Sequence, residues 1–120
     1  MPPSRALGEF EQLILFAMLA LPPSECYGVP IRELIAERTG RSPSAGAVYT
    51  ALDRLAARGL VSSTLGEPTA ERGGRRKRIY RLQAAGAREL ARSVQTLKVM
   101  SQGVLPQLEL LAAGSKGKRK

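Results

Sequence analysis

The apolar residues of this chain change their spacing twice, and that limits the architectures open to it. Up to Gly59 they recur at intervals of three and four. Between Leu60 and Leu82 that spacing gives way to two short runs with β-branched and aromatic content, and from Ala84 onward the intervals of three and four return. Such intervals line one face of a helix, whereas short β-branched runs read as strands. The order is therefore helix, helix, helix, strand, strand, helix.

In the first helix Leu7, Phe10, Ile14, Ala17 and Leu21 form one stripe. Leu13, Phe16 and Met18 widen it until the helix is apolar on two sides, as expected if it packs on its own core and on a partner. Pro22-Pro23 ends it. The second helix reads from near Tyr27 to Thr39, with Ile31, Leu34, Ile35 and Arg38 at helical spacing, Pro30 in its first turn and Gly40 as its C-terminal cap. Ser42-Pro43-Ser44 offers two N-caps for the third helix, and Pro43 suits a first helical position. There Val48, Leu52 and Leu55 make the buried face. Gly46, Thr50, Asp53, Arg54 and Ala57 lie opposite, with Tyr49 at the flank, and Gly59 stops the helix.

The strands read as Leu60–Leu65 and Arg76–Leu82, with Tyr80 and Leu82 in the core and Gly66–Arg75 as a long hairpin connection. The last helix starts at Ala84 or Ala85. Its stripe of Ala87, Leu90, Val94, Leu97, Val104, Leu108 and Leu111 wants a partner, while Gly103 and Pro106 predict either a kink or two separate pieces. The expected organisation is mainly α with a two-stranded β-hairpin. Residues 1–6 read as a disordered start, 7–83 as a winged helix-turn-helix, 84–112 as a dimerisation helix region and 113–120 as a flexible basic tail.

Composition narrows the function. With 120 residues the chain is one ordinary domain. Cys26 is its only cysteine, which rules out an internal disulfide and reads as a small buried apolar residue. It has no histidine, which removes Ser-His and Cys-His nucleophile pairs and the commonest metal ligand. Neither a phosphate-cradling glycine loop nor a metal-ligand spacing is present, so no catalytic residue, metal site or cofactor is expected. The apolar run Leu13–Leu21 is too short to span a bilayer, and Glu9 and Glu11 precede it where a secretory signal carries positive charge, so a soluble, cytoplasmic protein is expected.

Nineteen Lys and Arg against ten acidic residues give a net charge of +9, a balance that favours polyanions. Six cations and one anion fall within Glu71–Arg81, at and beside the hairpin tip. Like charges crowded on a hairpin repel. A phosphate backbone relieves the repulsion and releases counterions; a solvated strand edge that deters aggregation is the plainer alternative. Arg72, Arg75, Arg76, Lys77 and Arg78 are the candidate phosphate contacts. On the third helix, Ser44, Ala45 and Gly46 would let backbone amides come close to DNA, Tyr49 and Thr50 would donate hydrogen bonds, and Arg54 would pair with phosphate or guanine. Taken alone this face is equally an ordinary solvated helix with a capping serine. Tyr27-Gly28 is open between a phosphate contact and a packing role.

The segments Leu7-Gly8-Glu9-Phe10-Glu11, Tyr27-Gly28, Gly46 through Leu55, Gly59-Leu60-Val61, and Arg75 through Leu82 followed by Ala84-Ala85-Gly86 resemble the PadR family of transcriptional regulators. The resemblance covers about Leu7 to Leu97. Its specific part is the joint presence of Gly46-x-x-Tyr49-x-x-Leu52 and Tyr80-x-Leu82-x-x-x-Gly86. It implies a homodimer on an inverted-repeat operator in double-stranded DNA, usually a repressor, with Tyr49, the start of the third helix and the basic wing on the DNA. It also implies a dimer built by the first and last helices, here Leu7, Phe10, Ile14, Leu90, Val94, Leu97, Val104 and Leu108. Some members are released by phenolic acids or drugs, which makes a small hydrophobic effector an expected partner. Gln83 stands where the family commonly has the N-capping Thr. The chain has no Trp, against the paired tryptophans of some drug-binding members. The competing expectations are an interaction module for an acidic protein and an RNA-binding domain, the latter poorly served by only five aromatic residues.

Overall fold

The computed structural model describes residues 6–68 and 76–117, and the chain falls into two compact units, Met1–Leu90 and Ala91–Lys120. In chain order the elements are α1 (Glu9–Ala20), a single 3₁₀ turn (Pro23–Glu25), α2 (Gly28–Thr39), α3 (Ala45–Ala57), β1 (Val61–Pro68), β2 (Arg76–Leu82), α4 (Ala84–Ser101) and α5 (Leu105–Gly117). The predicted disordered start lies outside the described residues, save Ala6.

The helix ends follow from local chemistry. Gly8 precedes α1, and its N–H donates to the Glu11 carboxylate at 2.9 Å. Leu21 is extended ahead of Pro22 and closes the same helix. Gly40 and Gly59 take the left-handed conformation, with φ of 76° and 75°, that lets the chain turn out of α2 and α3. Pro43 is not the first residue of α3. The helix begins two residues later, because Ser44 is extended and its Oγ accepts the Ala47 N–H at 3.0 Å.

The first unit packs α1, α2 and α3 around Ile14, Leu15, Ile31, Val48, Leu52 and Leu55, each fully buried. Complete burial of a side chain of this size contributes roughly 1.5–3 kcal/mol, so these residues dominate the unit's stability. Leu15, outside the predicted stripe, is as buried as Ile14, because helices meet α1 on more than one side.

The hairpin is antiparallel, with Val61 opposite Leu82 and Leu65 opposite Arg78. β1 runs three residues past the predicted Leu65, through an irregularity, to pair Pro68 with Arg76. The hairpin is fastened to the helices from β2. Tyr80 is 2% exposed, and its N–H donates to the Cys26 carbonyl at 2.8 Å. Cys26, itself buried, donates its thiol to the Met18 carbonyl at 3.4 Å. Gln83 N–H bonds the Leu60 carbonyl at 2.9 Å, and α4 starts so close to the residue before β1 that a Cβ on Gly86 would collide with that carbonyl and with Leu82 Cδ1.

Leu7, Ile14 and Leu90, expected at a dimer contact, are instead buried in the protomer's own core, and Phe10 is half-buried against it. Val94, Leu97, Val104 and Leu108 are exposed, as are Phe16 and Leu19 on α1. The alternative left open at Gly103 and Pro106 resolves as two helices. Gly103 turns the chain with φ of 82°, and Pro106 sits in the first turn of α5, where its missing N–H costs nothing. α5 continues to Gly117, so helix occupies most of the stretch expected to be a tail. No described helix is long and apolar enough to cross a membrane.

Two outcomes test this packing. Gly86→Ala should lower unfolding stability by about 1–3 kcal/mol in urea titrations, because the Leu60 backbone cannot give way as a flexible side chain would. Burial pushes the Cys26 thiol above its ordinary 9.0 and the Tyr80 hydroxyl above 10.0, the latter helped by the nearby Asp53 carboxylate. The folded state thus prefers both groups protonated. Their contribution is complete below pH 9 and is lost as pH rises toward the raised folded values. Stability should therefore fall as pH rises above about 9, and Cys26→Ala should flatten the start of that fall.

Candidate nucleic-acid interface

Helix α3 divides cleanly. Val48, Ala51, Leu52 and Leu55 face the core, while Ser44, Ala45, Gly46, Tyr49, Thr50 and Arg54 are all exposed. The first amides of a helix have no carbonyl one turn back to bond. Ser44 Oγ takes that of Ala47, and those of Ala45 and Gly46 stand at an exposed end. The turn into α3 is held from α2 by Arg32, whose Nε–H donates to the Pro43 carbonyl at 2.7 Å. Nothing in the spacing of Arg32 marks it for this task.

Gly28 has no side chain because Tyr49 occupies that space: a Cβ there would collide with the phenol ring. This settles the packing role of Gly28. The ring keeps 41% of its surface exposed while resting on the start of α2. Gly46 differs. A methyl there would find only Ser44 Oγ, 4.0 Å away, so nothing inside the protein requires glycine at that position.

On the hairpin, Arg76, Lys77 and Arg78 open β2. Lys77 and Arg78 are exposed. Arg78 donates to Ser63 Oγ across the strands at 3.0 Å, and Lys77 Nζ stands 4.7 Å from the centre of the Tyr27 ring. Arg72 and Arg75 lie outside the described residues, as does the side chain of Arg76. Gln83, in place of the expected cap, donates to Ser62 Oγ at 2.9 Å and ties the base of the hairpin.

Thr50 and Arg54 share an open groove of about 630 Å³ with Glu9 and Glu11 at the start of α1. Each of those carboxylates has an arginine beside it: Glu9 Oε1 lies 3.1 Å from Arg41 and Glu11 Oε1 lies 4.0 Å from Arg58.

Three helices, an exposed third-helix face and a cationic hairpin define a winged helix-turn-helix DNA-binding protein. Residues 17–92 match the model of the transcriptional regulator PadR-like family, and the chain belongs to that family. Among solved structures it is similar to a PadR family transcription regulator from hypervirulent Clostridium difficile: 27% identity over 84% of this chain and 99% of that one, TM-score 0.66. Regulators of the same family from Bacillus cereus and Eggerthella lenta share the fold. The first is 22% identical over 82% of this chain and 90% of its own, with a TM-score of 0.64. The second is 24% identical over 84% and 87%, with a TM-score of 0.62. No curated protein matches the chain. The protein is a DNA-binding transcriptional regulator.

Gly46→Ala should raise unfolding stability by about 0.5–1 kcal/mol, since alanine is the better helix former and the space is open. Thermal or urea unfolding reads this directly. A loss of stability would mean that the fold itself needs this glycine.

Proposed function

We propose that the protein is a homodimeric repressor that reads an inverted-repeat operator in duplex DNA. The N-terminal half of α3 enters the major groove, and Arg72, Arg75, Arg76, Lys77 and Arg78 of the wing neutralise phosphates. The observation that carries this reading is the exposed, small-residue start of α3 beside a strand that opens Arg-Lys-Arg. Ser44, Ala45 and Gly46 bring backbone amides to the phosphate or base edge, and Tyr49 and Thr50 donate hydrogen bonds. Arg54 pairs with phosphate or guanine.

The dimer rests on side chains that the protomer leaves exposed: Phe16 and Leu19 of α1, and Val94, Leu97, Val104 and Leu108 of α4 and α5 with their connection. Exposed large apolar side chains clustered on a helix mark an association site. The apolar cavity between α1 and α2, bordered by Leu13, Phe16 and Leu34, holds about 80 Å³. Drug-sized ligands fill roughly 300–1,000 Å³. A small hydrophobic effector therefore does not fit there whole, and in this reading its site is completed by the second protomer. A chain made of a DNA-reading unit and a helical unit regulates by occupying its operator.

The test is a gel shift on a duplex that the protein itself selects from a random library, run across a salt series with non-specific competitor. With about six to ten phosphates neutralised per dimer, affinity should fall by about 10³–10⁵ between about 50 and 200 mM salt. Alanine at Arg75, Arg76 and Lys77 together should lower the slope of log affinity on log salt by about five per dimer. An unchanged slope would remove the wing from the interface. Selection of no consensus, with capture of an acidic protein instead, would move the function to protein interaction.

A further inference from the structure

From the end of the 3₁₀ turn into the first residue of α2, three consecutive residues reach three other elements. The Cys26 carbonyl accepts the Tyr80 N–H of β2, and its thiol reaches Met18 of α1. The Tyr27 ring lies under Lys77 Nζ of β2, 4.7 Å from centroid to nitrogen. Gly28 gives its side-chain space to the Tyr49 ring of α3. The wing strand and the reading helix are thus both seated on one tripeptide.

An exposed lysine samples many rotamers and must surrender them when it binds a phosphate. One already held over an aromatic face has surrendered part of that freedom, and an ammonium on a ring keeps N–H donors pointing away from it. We propose that Tyr27 is a positioning residue of the DNA interface: its ring holds the Lys77 ammonium at the start of β2, while the same tripeptide seats Tyr49, so that the wing cation and the reading helix are presented in fixed register. This rests on the reading of α3 and the wing as the DNA surface. Tyr27 touches no DNA in it and acts through Lys77.

The experiment is a double-mutant cycle on the full-length protein with the selected duplex, measured across salt, with an unfolding midpoint for every variant. Lys77→Met should lower the salt slope by about two per dimer. Tyr27→Leu should weaken binding about four- to twenty-five-fold, since the dimer loses two exposed cation–π contacts worth about two- to five-fold each, and Tyr27→Phe should restore it. In the Lys77→Met background Tyr27→Leu should add nothing.

An equal loss in both backgrounds would make Tyr27 merely structural and overturn the proposal, as would unchanged or tighter binding by Tyr27→Leu alone. An unchanged slope for Lys77→Met would fail the wing reading itself, and the proposal with it. Because Tyr27→Leu can compromise folding, a second measurement uses the folded proteins only. The Lys77 side-chain methylene resonances should be shifted upfield by the ring in the wild type and in Tyr27→Phe, and their random-coil position in both would overturn the proposal.

Discussion

The wing stands where it does because Tyr80 is driven into the helical core while its amide bonds the Cys26 carbonyl. A two-stranded hairpin is at best marginally stable on its own. Here one face of β2 is anchored by a buried aromatic ring and by a backbone bond to the segment that starts α2. Remove that anchoring and the cations at the start of β2 lose any fixed relation to α3. The closeness of Gly86 to the Leu60 carbonyl and the Gln83 bonds to Leu60 and Ser62 fix the base of the same hairpin from the other side.

Charge is distributed against the protein's own stability and in favour of an anionic partner. Arg76, Lys77 and Arg78 are consecutive on one strand, with Ser63 and the Tyr27 ring as the described neighbours of Arg78 and Lys77. Glu9 and Glu11, which share a groove with Thr50 and Arg54, each have an arginine of the protein beside them, Arg41 at 3.1 Å and Arg58 at 4.0 Å.

The apolar surface tells a parallel story. The first unit spends Leu7, Ile14 and Leu90 on its own interior and still leaves Phe16 and Leu19 outside. The second unit exposes Val94, Leu97, Val104 and Leu108 in quantity. Helices with this much uncovered surface are unfavourable in water until something covers them.

Much of the fold was legible in the sequence because helical spacing, proline and glycine act locally. Gly40, Gly59 and Gly103 break the helices where only a left-handed residue lets the chain turn, and the order of elements follows from the period of the apolar residues. The exposed face of α3 was legible for the same reason, since Val48, Leu52 and Leu55 fix which side is buried. Tertiary structure decided what spacing cannot carry. It chose Ser44 over Ser42 as the N-cap of α3, extended β1 to Pro68, and split the last helix in two. It also drew Leu7, Ile14 and Leu90 inward, because a stripe shows that a residue seeks cover but not which neighbour provides it. The meeting of Tyr27 with Lys77, fifty residues apart, and of Gly28 with the Tyr49 ring depends on how β2 and α3 pack on the start of α2. That relation exists only once the chain has closed its core.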